Sequence, residues 1–201
     1  MPASGRKVIL FMHYSLDGAV GRPNEPRMPW ITPDTDLEMG RHLIPDLLKT
    51  VDTMLLGREL FQGFEQAWPA MVKAPGMPKE MVEMGQWIED SPKHVFSKTL
   101  TKAGWKNAHV HRVTTDQDIA KKVNVLKQEE GGDMVVFGGA RFAQTLTRLG
   151  LVDEYRLKLE PVVLGPDAYH LFDGTRDARL HLTHQKAFKS GVQGLYYKPK
   201  A

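Results

Sequence analysis

Met134-Val135-Val136-Phe137-Gly138-Gly139-Ala140-Arg141-Phe142 is the stretch on which the fold turns. Four apolar residues in a row read as a buried strand, and the glycine pair closes it. Arg141 to Leu149 then reads as a helix, with Phe142, Leu146 and Leu149 on one face. A buried strand that passes through glycines into a helix is the repeating unit of a parallel α/β sheet. The two glycines let the backbone approach a bulky anion, and the helix start offers free N–H groups and a positive dipole end. A tight turn with no ligand satisfies the same residues, because short glycine motifs are common.

The pattern repeats outward from this unit. Upstream lie a helix from Asp116 to Glu129, strands at Ala108–Val113 and His94–Ser97, and a helix from Pro78 to Asp90. A strand at Asp52–Leu56 runs into Gly57-Arg58, followed by a brief helix from Glu59 to Glu65. The first strand, Lys7–Tyr14, ends in the turn Ser15-Leu16-Asp17-Gly18. Thr32-Pro33-Asp34 reads as a helix start, with Leu37, Gly40, Ile44, Leu47, Leu48 and Val51 approximating one apolar face. Pro45 predicts a kink or break near His42–Ile44. Downstream, Tyr155–Leu159 alternates as a sixth strand, and Arg179–Lys189 and Val192–Tyr197 flank Ser190-Gly191 as a β-hairpin. The expected fold is α/β: a mainly parallel central sheet flanked by helices on both faces, with a C-terminal antiparallel hairpin, in one domain over residues 1–201.

Composition narrows the function classes. The chain has 201 residues, 41% hydrophobic and 25% charged, which suits one soluble domain with a full core. The net charge of +3 is spread along the chain and leaves no nucleic-acid footprint. No apolar run approaches the roughly 20 residues of a membrane helix. Cysteine is absent, which excludes disulfides, thiolate chemistry, cysteine-ligated zinc and iron–sulfur clusters. The apolar run Val8–Met12 is too short for a signal peptide, so a cytoplasmic location is expected.

In parallel sheets ligands bind outside the carboxyl ends of the strands. Three strand ends carry suitable residues: Gly57-Arg58, Ser97-Lys98-Thr99 and Gly138-Gly139. An Arg at a helix start can hold a phosphate with two hydrogen bonds, or form a surface salt bridge. Ser97 to Thr99 offers hydroxyls and a cation, or simply a turn cap. Together the three ends point to a phosphate-bearing ligand. Neither the P-loop pattern nor Gly-x-Gly-x-x-Gly occurs, so a P-loop hydrolase and an ordinary Rossmann domain are not expected.

The ordered set Ser15–Gly18, Leu55–Arg58, Pro92–Leu100, Val136–Phe142, Leu151–Glu154 and Pro161–Gly165 resembles the dihydrofolate reductase superfamily. It looks closest to the branch holding the reductase domain of the bifunctional riboflavin-biosynthesis deaminase-reductase and its stand-alone relatives. The resemblance runs from Lys7 to Tyr197. It implies NADPH as cofactor. Gly138 and Gly139 would lie against the pyrophosphate, with Ala140, Arg141 and Phe142 beside it. Gly57, Arg58, Ser97, Lys98 and Thr99 would hold the adenosine side with its 2′-phosphate, and the loop around Gly18 would close near the nicotinamide. Leu60 departs from dihydrofolate reductases, which often carry a hydroxyl residue there.

The resemblance also implies a carboxylate on the first helix, shortly after a Trp, that anchors and helps protonate a pterin ring. Trp30 and Asp36 fit that placement with a one-residue offset, and Asp36 equally suits a solvent-facing position in an acidic first turn. Asp17 reads as a turn former. His109 and His111 alternate on a strand without a nearby acidic cluster, so no metal is expected. The expected function is hydride transfer from NADPH to a small heterocyclic, pterin- or pyrimidine-like substrate, by a homodimer. A true dihydrofolate reductase, a pyrimidine reductase of riboflavin synthesis and a non-catalytic NADP-binding sensor remain the alternatives.

Overall fold

The computed structural model describes residues 5–25, 28–34 and 37–200. Eight strands form one sheet: β1 (Val8–Ser15), β2 (Val51–Gly57), β3 (Lys93–Ser97), β4 (Ala108–Arg112), β5 (Asp133–Val136), β6 (Glu154–Glu160), β7 (Leu180–Ala187) and β8 (Gln193–Pro199). Their order is β4-β3-β2-β5-β1-β6-β8-β7. The first six strands pair in parallel, and β8 and β7 complete the sheet antiparallel. The carboxyl ends of β1 to β6 therefore share one edge.

Alternation along β1 sends its side chains to opposite faces. Val8, Leu10 and Met12 join the core under α4 (Asp116–Lys127) and α5 (Ala140–Arg148), with Val123, Leu126, Phe142 and Leu146. Ile9 and Phe11 join the core under α1 (Glu38–Leu48), α2 (Arg58–Met71) and α3 (Lys79–Asp90), with Leu43, Leu47, Phe61, Trp68 and Ile88. The expected architecture stands, with helices on both faces and the hairpin at one end.

Three local expectations are corrected. The first helix starts at Glu38, not near Thr32, after Leu37 in a left-handed conformation. Asp34 accepts the N–H groups of Met39 (3.1 Å) and Gly40 (2.7 Å), so its carboxylate caps the helix across several residues rather than lying inside it. Pro45 does not break α1. Its missing N–H deprives only the Arg41 carbonyl of its helical donor, while buried Met39, Leu43, Ile44 and Leu47 hold the helix on the sheet. α2 also runs past the expected end to Met71, because Phe61, Phe64 and Trp68 pack as one face. Among the described residues no helix is long and apolar enough to cross a membrane.

Candidate active site

The carboxyl ends of β2, β3 and β5 and the start of α5 enclose a groove of about 390 Å³. Gly57, Arg58, Ser97, Lys98, Thr99, Gly139, Arg141 and Phe142 line it together. Its floor is apolar: Phe96 and Phe142 stack at 5.2 Å, beside Val113 and Ile119. Phe142 fits there because Gly57 has no side chain; a Cβ would come within 3.1 Å of the Phe142 Cβ. The rim is basic and hydroxylic. Arg58 is held only loosely, by Thr99 Oγ1 at 3.4 Å and Glu59 at 3.9 Å. Ser97 Oγ accepts the N–H groups of Thr99 and Leu100, which fixes the turn and leaves its proton free to donate.

Gly138 and Gly139 have φ of 127° and 79°, conformations that side-chain-bearing residues rarely adopt. They turn the chain so that α5 begins at Ala140. The N–H groups of Phe142 and Ala143 both reach the Gly139 carbonyl, while those of Ala140 and Arg141 have no acceptor among the described residues. Leu60 packs against Gly139, so the position where dihydrofolate reductases often carry a hydroxyl is apolar wall. Gly18 stands apart from the groove, at φ 88° against Tyr14 and His170. Its loop returns to the site through Gly21, where a Cβ would lie 3.8 Å from that of Ala140. Asp17 anchors this loop by accepting from Ser15 Oγ, Leu164 N and Gly165 N, and these bonds hold its carboxyl well below the usual range.

On the opposite face of the sheet, beneath α1, lies a second cavity of about 270 Å³. Phe11, Leu43, Ile44, Trp68 and Met84 form apolar wall, and His13, Asp34 and Lys158 form the polar end. His13 and Lys158 are register partners on β1 and β6, so their side chains emerge together. Glu160, two residues further along β6, is fully buried. Its carboxylate accepts from His13 Nδ1 (2.6 Å) and the Thr32 N–H (3.0 Å). Burial works against the charged Glu160, but the His13 and Thr32 hydrogen bonds outweigh it and hold the carboxyl below its ordinary pKa. Burial and the neighbouring Lys158 pull His13 down to about 4, against the pull of Glu160. The pair is thus neutral imidazole and carboxylate at pH 7. Burial also brings Lys158 down to about 8.

Asp36 lies outside the described residues. Trp30 packs edge-on to His13 at 6.5 Å, and its indole N–H is buried without an acceptor among the described residues. The acids that the structure places in the cavity are Asp34, engaged in capping α1, and Glu80, paired with Arg41. Sequence reasoning missed Lys158 and Glu160. The available signal was the run Glu154-Tyr155-Arg156-Leu157-Lys158-Leu159-Glu160, with a charge at every second position of a strand that lies between β1 and β8. His109 and His111 do lie near each other, with His94 stacked between them, and no group that could hold a metal occurs among the described residues.

Several known proteins are similar to this chain in fold or sequence. Solved structures reproduce the fold: a putative riboflavin biosynthesis protein from Shewanella sp. PV-4 superposes with a TM-score of 0.66 at 17% identity, over 97% of this chain and 99% of that one. Dihydrofolate reductase from Enterococcus faecalis, complexed with NADP(H), gives 0.57 at 13% identity, over 97% of both chains. In sequence, the uncharacterized protein YyaP of Bacillus subtilis (strain 168) is 30% identical over 192 residues, covering 96% of this chain and 94% of its own length. The RibD C-terminal domain family matches residues 6–194, which takes in both the groove and the cavity. With that match spanning nearly the whole sheet, this chain belongs to the RibD C-terminal domain family.

Proposed function

We propose that the protein is an NADPH-dependent reductase that delivers a hydride to a small planar heterocycle of the pterin or pyrimidine type. The observation that carries this reading is the groove. Residues from β2, β3, β5 and α5 converge on a flat apolar slot with a cationic, hydroxyl-bearing rim and an open helix start. A dinucleotide fits this donor set. The adenine would lie on Phe96 and Phe142, Arg58, Ser97 and Lys98 would take a 2′-phosphate, and the N–H groups of Ala140 and Arg141 would take the pyrophosphate. When bound, the cofactor supplies the hydride. The chain's own task is to bind and orient the partners and exclude water.

Family membership supports an oxidoreductase, as does the fold shared with a dihydrofolate reductase solved with NADP(H). The cavity under α1 opens at the same sheet edge and suits a ring system in size and apolar lining. Phe137, next to Gly138, packs edge-on to the cavity-lining Phe11 at 6.1 Å. We also propose a homodimer. β7 is an edge strand exposed along most of its length, with Leu182 at the surface, and light scattering at micromolar concentration is its test. The reductase reading is tested by titrating NADPH and NADH against tryptophan fluorescence, followed by NADPH oxidation with dihydropterins and pyrimidine riboflavin intermediates. Saturable NADPH binding is the expected result, and no binding at millimolar concentration would overturn it.

A further inference from the structure

Charges along the α1 face of β6 are matched almost throughout. Glu154 pairs with Arg156 (2.6 Å) and Lys198 (3.6 Å), and Arg156 reaches Asp46 at 3.3 Å. Glu160 holds His13 and Thr32. Around the cavity, Asp34 is taken by the start of α1, and Arg41 pairs with Glu80 at 3.2 Å. Lys158 is the exception. Among the described residues no carboxylate comes within ion-pair distance of its ammonium, which rests over the Phe11 ring at 4.5 Å and faces the cavity.

A partly buried ammonium with no acceptor among the described residues is costlier to hold than a paired one. A second unsatisfied donor, the Trp30 indole N–H, lies against His13. The Glu160 carboxylate can only accept, so His13 gives it the Nδ1 proton and keeps an Nε2 lone pair. The polar end of the cavity therefore offers two unengaged donors, Lys158 and the Trp30 N–H, beside one imidazole lone pair and against an apolar wall.

We propose that this cavity recognises planar molecules through an acceptor edge, a carbonyl, carboxylate or imine lone pair placed on the Lys158 ammonium beside His13. The proposal deepens the reductase reading, on which its catalytic consequence rests. As hydride from the proposed cofactor adds to the carbon of a C=N or C=O bond, the π pair moves onto the heteroatom, which takes one proton from Lys158 Nζ. The resulting neutral amine regains its proton from water. An edge of N–H donors, such as an amidine, finds no free acceptor at Lys158.

The test uses two isosteric probes, benzoate with an acceptor edge and benzamidine with a donor edge. Calorimetry is run on wild type, Lys158→Met and Lys158→Arg, with melting temperature as the fold control. Benzoate is expected to bind wild type and to weaken at least about tenfold in Lys158→Met, the loss of one charge-assisted hydrogen bond. Lys158→Arg should restore part of the binding, and benzamidine should not bind. Benzoate binding should also decline as pH rises above about 8, while Lys158→Arg keeps it. The other charged or titratable groups facing the cavity are His13 on β1, Asp34 and Arg41 at α1, Glu80 on α3 and, behind His13, Glu160 on β6, each paired as described. Preference for benzamidine, equal benzoate binding by folded Lys158→Met, or no benzoate binding by wild type at millimolar concentration would each overturn the proposal. NADPH titration of the same samples separates the two claims. Lost NADPH binding with intact Lys158-dependent benzoate binding sinks only the reductase reading, and the reverse sinks only the acceptor-edge site.

Discussion

Glu160→Gln should cost stability at neutral pH and cost little in acid. The carboxylate is fully buried and accepts two hydrogen bonds, from His13 Nδ1 at 2.6 Å and Thr32 N–H at 3.0 Å. Glutamine keeps one acceptor oxygen and turns an NH2 group toward the other donor. One charge-assisted hydrogen bond is lost and one buried donor is left unpaired, so the expected loss is about 2–4 kcal/mol at pH 7. Urea denaturation at pH 7 measures it directly. The sign of the pH dependence follows from the lowered pKa of Glu160. Its contribution is fully present above the unfolded value of about 4.3 and is lost as pH falls through the lower folded value. The gap between wild type and variant should therefore narrow steadily below about pH 4. His13, neutral down to about pH 4, adds a loss as pH falls below its ordinary value, and the two proteins share that loss down to about pH 4. A difference at pH 7 under about 0.5 kcal/mol, or one that stays constant into acid, would refute the buried carboxylate–imidazole pair.

Three further substitutions probe the groove. Arg58→Ala should weaken NADPH about 10- to 100-fold by calorimetry and leave NADH nearly unchanged; its half-exposed side chain and long contacts predict an unaltered melting temperature. Equal weakening of both nucleotides would remove the 2′-phosphate assignment. Gly138→Ala should cost about 1–3 kcal/mol in denaturation even without ligand, because φ is 127° while the nearest atom to a new Cβ, Met12 Cε, leaves room at 3.6 Å. Phe142→Ala, which removes a buried ring stacked on Phe96, should cost about 3–5 kcal/mol. A loss under about 1 kcal/mol would mean that the floor of the groove collapses to fill the space.

The fold was legible because its signals are local. The apolar run Met134–Phe137 reads as a buried strand, which the structure forms over Asp133–Val136, Gly138-Gly139 turns the chain, and the same punctuation at Gly57 and Ser97 repeats the unit across the sheet. The groove residues were legible for the same reason: each stands at the end of a strand, and parallel strands bring their carboxyl ends to one edge whatever their order in sequence. Where local rules compete with packing, packing won. Pro45 should end a helix, yet α1 runs through it because its apolar face is buried on the sheet.

The cavity under α1 was not legible. His13 and Lys158 are far apart in sequence and meet only because β6 pairs with β1 in one register; a shift of one residue would turn Lys158 to the other face. Whether a charge is paired, and whether water reaches it, are properties of the space between elements. The sequence alone thus determined the strands, the helical layers and the glycine-, Arg- and hydroxyl-bearing strand ends that line the groove, through periodicity and backbone chemistry. Only the tertiary structure decided that Glu160 is spent on His13, that Asp34 caps a helix, and that Lys158 faces the cavity with no carboxylate partner among the described residues. Burial and charge balance depend on which distant residues share a face, and strand register sets that.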